Sequence, residues 1–262
     1  MTMFSEAQFR AVIDRLTAGT EELTGQIAQI GPAAAAAIQA GWVPQPVKDA
    51  IAWCAELLEE AATAVCEVIV DLLKAAVAPI LMYVRAWEWQ SLRGRASSVA
   101  GRLTPEALIA DDKWHGAAAD AYTAAIKPQG QAATRIGTIA GKTAGALALC
   151  ASAGVAFYVS LGFILAKYIQ TMVAAIAAFE SAVFSWAGAI LVVEETTVGG
   201  GLITAAVGAL ATVVATQAAE MVALHGEAVD GTDFPLGAWP DPARNPFADA
   251  TVSDGDADWS LG

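Results

Sequence analysis

Between Ser5 and Ile30, apolar residues return every three or four positions: Phe9, Val12, Ile13, Leu16, Leu23, Ile27 and Ile30. That spacing predicts an amphipathic helix. Ser5 and Gln8 supply a capping-box pattern, and Phe4 with Phe9 can staple the helix entry. Gly31-Pro32 predicts its end, Ala33 to Ala40 a short helix, and Gly41 to Pro46 a turn. From Val47 to Arg102 a second stripe runs through Val47, Ile51, Cys54, Leu58, Ala61, Val65, Ile69 and Leu72, with Glu56, Glu59, Glu60, Glu67 and Asp71 mostly off it. Pro79 predicts a kink or break. The uncharged run Ala75 to Val84 is too short to span a bilayer and reads as packed core. Arg85, Trp87, Trp89, Arg93 and Arg95 then read either as an interfacial belt or as a solvated helix end covering a neighbour. Thr104 and Pro105 fit N-cap and N1 of a further short helix. An Ala-rich helix is predicted from Ala117, interrupted or kinked near Pro128-Gln129-Gly130 and resuming through Arg135 and Lys142.

Beyond Lys142 the pattern changes. Residues 143–166 carry no charge over 24 positions, and residues 196–219 repeat this over another 24. Each exceeds the roughly 20 residues that a membrane-spanning helix needs. Tyr168 to Phe179 and Ser181 to Val193 are also apolar, broken by Glu180 and closed by Glu194-Glu195, and Gly199-Gly200-Gly201 predicts an irregular start to the last run. Gly141, Gly145, Ala148 and Ser152 place small residues at three- and four-residue spacings, which suits close helix contact. Two readings stand: an apolar helical hairpin in a membrane over residues 143–225, or a water-soluble bundle with an Ala-rich core. Residues 226–262, with four prolines and many aspartates, read as a disordered acidic tail.

Composition sharpens this picture. Of 262 residues, 56% are hydrophobic and 16% charged, and mean hydropathy is +0.51, high for a soluble protein. Alanine is abundant and strand-period runs are few, so the fold class is all-α, with residues 1–142 as an amphipathic helical domain. The net charge of −13 argues against nucleic acid as a partner, since phosphates need a basic surface. Cys54, Cys66 and Cys150 do not suggest a disulfide framework, and small apolar core residues is the favoured reading. The N-terminus shows neither the basic nor the apolar region of an ordinary signal peptide.

The stretch Asp111-Asp112-Lys113-Trp114-His115-Gly116, followed by Ala117 to Tyr122, reads as a turn between two helices. The aspartates suit the N-terminus of the following helix, and Gly116 permits a tight bend. Trp114, Ala118 and Tyr122 fall at i, i+4 and i+8, on one helical face. Trp114-His115-Gly116 with Ala118, Ala119, Ala121 and Tyr122 resembles the WxG helical-hairpin proteins exported by the ESX (type VII) secretion systems of actinobacteria. The resemblance covers a few dozen residues. It implies two antiparallel helices joined at the Trp-x-Gly turn, and an export signal to which Trp114, Gly116 and Tyr122 contribute. The second part of that signal, Tyr-x-x-x-Asp/Glu, is missing. Positions four after Tyr83, Tyr122, Tyr158 and Tyr168 hold Trp87, Ile126, Gly162 and Met172, so a partner chain would have to supply it. Without export, Trp114 is a core residue at a hairpin turn.

His115 and His225 lack acid or cysteine neighbours at ligand spacing, and no phosphate loop or nucleophile elbow is present. No catalytic residue, metal site or cofactor is therefore expected. The sequence points to a non-enzymatic ESX substrate or secretion-associated protein, secreted or at the cell surface. Its expected partners are the secretion machinery or a helical partner chain, membrane lipid, and further copies of itself. A resident integral membrane protein with a cytoplasmic helical domain is one alternative, and a soluble self-assembling bundle the other.

Overall fold

A computed structural model describes residues 6–108, 115–180 and 186–240. Among these, the chain is all-α: α1 (Glu6–Gln39), α2 (Gln45–Leu73), α3 (Ala78–Arg102), α4 (Ala117–Glu180) and α5 (Trp186–Val229), followed by a 3-10 turn at Pro235–Gly237. Trp114 and the tail from residue 241 lie outside the described residues.

Several predicted interruptions are bridged. α1 continues through Gly31-Pro32 to Gln39. Proline in a helix interior costs about 3 kcal/mol, but Ile30, Ala33 and Ala34 are all buried in the core around it, and that packing outweighs the local penalty. α4 likewise passes Pro128, with Ile126, Ala132 and Ala133 buried on either side. Gly199-Gly200-Gly201 lies inside α5, and α5 runs past residue 226 to Val229. Pro79 does mark a boundary: α2 closes at Leu73, and Pro79 sits in the first turn of α3, where its missing N–H has no intrahelical partner to lose. Thr104 to Leu108 forms one turn, closed by the Leu108 N–H donating to the Thr104 carbonyl at 3.1 Å.

The chain divides into two compact units, residues 1–82 with 149–216, and residues 83–148 with 217–262. In the first, α1 and α2 form a hairpin across the turn at Gly41-Trp42-Val43, with Thr24 Oγ1 3.6 Å from Cys66 Sγ. Burial on both follows a seven-residue step: Phe9, Leu16, Leu23 and Ile30 on α1, and Ile51, Leu58 and Val65 on α2. α4 fills the same core through Tyr158, Leu161, Leu165, Tyr168, Met172, Ala175 and Phe179. These positions alternate steps of three and four, the heptad spacing that keeps one narrow seam facing a partner helix. The Phe9 and Tyr158 rings meet edge to face at 5.7 Å. The Tyr158 hydroxyl donates to the Leu72 carbonyl at 2.7 Å, satisfying an acceptor near the C-terminus of α2. At Gly154 the helix comes so close to α3 that a Cβ would stand 2.7 Å from Pro79 Cγ.

In the second unit the α4 seam is made of small residues: Ala133, Gly137, Ala140 and Ala144 are buried. α3 lies against them, a Cβ on Gly137 falling 3.7 Å from Ala96 Cβ. The close-contact glycines here are Gly130, Gly137 and Gly141. Gly145 has nothing within 4 Å of an added Cβ, so the predicted small-residue stripe does not make the contact as a whole. α5 joins this unit through buried Leu224 and through Glu227.

Candidate functional site

Gly116 opens α4 from a backbone φ of +108°, with its carbonyl accepting from the Asp120 N–H at 3.1 Å. Side-chain-bearing L-residues rarely take that conformation, so glycine is needed for the bend itself. An added Cβ would meet nothing within 4 Å, and His115 beside it is exposed. Tyr122 is partly exposed on the second turn of α4. The bend and the tyrosine are thus accessible, and Gly116 stands at the start of α4.

α5 carries the second feature. In the first unit it packs through Ile203, Ala206 and Leu210, again at three- and four-residue steps. Val207, Val214 and Met221 are exposed at seven-residue intervals, and Leu202 and Val222 are exposed as well. Only 6% of the most apolar stretch within Gly200–Val229 is buried, against 28% for the stretch in α4. Both helices are long and apolar enough to cross a membrane. The hydroxyls of Thr204, Thr212 and Thr216 donate to the carbonyls of Gly200, Gly208 and Thr212 at 2.9–3.1 Å. Their protons are thus used inside the helix, which lowers the cost of an apolar environment.

The two apolar segments differ in setting. Residues 157–179 of α4 pack with α1 and α2 in one core, and those helices carry exposed Asp14, Glu21, Glu22, Glu59, Glu60 and Glu67. Lipid cannot surround this core without taking in carboxylates, at several kcal/mol each. α5 carries no such charges between residues 196 and 219.

The third feature is polar. Lys142 Nζ donates to Glu227 Oε1 at 2.5 Å, and Arg135 reaches the Glu227 carbonyl at 3.1 Å and Asp230 Oδ2 at 3.3 Å. The Lys142 hydrogen bond holds the Glu227 carboxyl below its usual value, and bonds from Thr232 do the same for Asp230. Beside this cluster a groove of about 500 Å³ opens between α3 and α4, lined by Arg93, Ser97, Thr134, Thr138 and Lys142. Sequence reading passed over it because Arg93 and Lys142 are far apart in the chain; the signal was the Arg93/Ser97/Ala100 helical face opposite Gly137 and Gly141. A separate apolar groove of about 560 Å³ runs between α1 and α4 over Gly19, Gly162, Phe163 and Ala166.

Among the described residues no group of three or more His, Cys, Asp or Glu is placed to hold a metal ion. Cys54 is buried, and burial pushes its thiol above the ordinary value, away from the reactive thiolate. No protein-family model, curated protein or solved structure matches the chain.

Proposed function

We propose that the chain is a non-enzymatic, exported helical protein that associates with lipid membrane through α5. The observation that carries the membrane part is the exposure of α5: it holds a 24-residue uncharged run, about 36 Å long at 1.5 Å per residue, and from residue 200 on the apolar side chains of that run face outward beyond one narrow seam. The export part rests on the resemblance of Trp114-His115-Gly116 to the ESX-exported WxG proteins, with the accessible bend at Gly116 in support. In this reading Trp114, Gly116 and Tyr122 meet the secretion machinery or a helical partner chain. That partner also supplies the missing Tyr-x-x-x-Asp/Glu element.

The test has two arms. Tagged protein is followed in its host with and without an active ESX system, alongside Trp114→Ala. Export that depends on the system and fails in the variant supports the reading, and export-independent retention in the cell membrane sinks it in favour of a resident membrane protein. Separately, purified chain is floated with lipid vesicles beside a Val207→Glu/Val214→Glu double variant. Flotation of the wild type but not the variant is the expected result. A discrete soluble oligomer that ignores vesicles would instead assign the α5 surface to self-assembly.

A further inference from the structure

The groove between α3 and α4 has the composition of an anion site. Arg93 and Ser97 come from one helix, and Lys142 lies across from them on the other. Glycine makes room for this: a Cβ on Gly141 would stand 3.1 Å from Arg93 Cδ, so the arginine lies across a helix surface that has no side chain there. Thr134 and Thr138 give their hydroxyl protons to the carbonyls of Gly130 and Thr134, so the donors left are the Arg93 guanidinium, the Ser97 hydroxyl and the remaining protons of Lys142. Arg135 and Lys142 are paired with Asp230 and Glu227, whereas Arg93 on the facing helix has no ion pair among the described residues, so its positive charge is left over. A guanidinium fork beside an ammonium suits the oxygens of a phosphate.

Its place along the chain identifies the source of that phosphate. Lys142 is the last charge before the uncharged run 143–166, and Glu220 and Glu227 are the first charges after the run 196–219. The Lys142–Glu227 pair therefore joins the charged ends of both apolar segments. A charged end of this kind, next to an apolar segment in contact with hydrocarbon, lies at headgroup level.

We propose that the groove lined by Arg93, Ser97 and Lys142 binds the phosphate of a phospholipid headgroup. The lipid source rests on the membrane reading given above. The experiment compares full-length wild type, Arg93→Gln and Arg95→Gln on two kinds of vesicle, one of a neutral phosphate-free galactolipid and one of the same lipid doped with phosphatidic acid. Arg95 is exposed on the same helix outside the groove, so its variant carries the same charge loss. The expected result is wild-type binding to both, tighter with phosphatidic acid, with roughly tenfold loss of that gain in Arg93→Gln and a smaller loss in Arg95→Gln. Equal losses in the two variants, or no gain from phosphatidic acid, would overturn the groove while binding to the phosphate-free vesicles kept the membrane reading. No binding to either vesicle would overturn the membrane reading and the lipid source. A calorimetric titration with inorganic phosphate decides the groove separately. Binding lost in Arg93→Gln keeps a phosphate site there, and no binding ends it.

Discussion

The Lys142 ammonium and the Glu227 carboxylate, 85 residues apart, meet at 2.5 Å and tie the start of one apolar segment to the end of the other. Hydrogen bonding to Lys142 depresses the Glu227 pKa below its ordinary 4.5. A depressed carboxylate stabilises the fold above its unfolded value and loses that contribution as pH falls through the folded one. The difference in melting midpoint between wild type and Glu227→Gln is therefore expected to be constant from pH 7 to pH 5 and to shrink below about 4.5. A difference that grows on acidification would contradict the pairing.

Two glycines predict opposite outcomes for one substitution. Gly154→Ala places a methyl 2.7 Å from the rigid Pro79 ring and is expected to destabilise by about 1–3 kcal/mol. Gly25→Ala, with nothing within 4 Å, is expected to stabilise α1 by roughly 0.5–1 kcal/mol. Chemical denaturation of the two variants side by side checks the sign of each.

Leu161 is fully buried in the seam that α4 presents to α1 and α2. Leu161→Ala is expected to cost about 2–5 kcal/mol. Phe163, two positions on and largely exposed, is expected to tolerate Ala with well under half that loss. Similar losses at the two positions would mean that α4 is surrounded on all sides rather than packed through one seam.

At Gly116 the cost of a side chain is purely one of backbone conformation, because the space around it is open. Gly116→Ala is expected to strain the entry to α4 by about 1–3 kcal/mol. Amide exchange is expected to rise over the first turns of α4 and to stay unchanged in α1 and α2. If exchange is unaltered throughout, the +108° bend is not needed.

The α1 and α2 stripes were legible because each keeps acids off a repeating apolar face, and the all-α class followed from them. The prolines misled. Pro32 and Pro128 carry strong local signals, but the buried residues around them are recognised only when the partner helix is known. Trp114 sits in the part of the chain where resemblance was strongest, and its surroundings lie outside the described residues. The apolar segments looked alike in sequence, since neither carries charge. What separates them is how much of each is buried: the α4 stretch runs through the core beside α1 and α2, whereas the described part of the α5 run touches it along one seam, a non-local fact. The phosphate groove was equally hidden, because it is assembled from two helices that are not adjacent in sequence.

In the first unit the seam on α4 runs in three- and four-residue steps from Ala151 through Gly154, Tyr158, Leu161, Leu165, Tyr168, Met172 and Ala175 to Phe179. Such a helix is intolerant of most changes in its length. A single inserted residue would turn everything downstream by about 100° and bring exposed positions such as Phe163 into the core's place. Seven inserted residues would leave the rotation nearly unchanged and only move the far part along by about 10 Å. Viable versions of this protein are thus expected to differ in length along α4 by whole sevens, and any that differ otherwise must carry a compensating bulge.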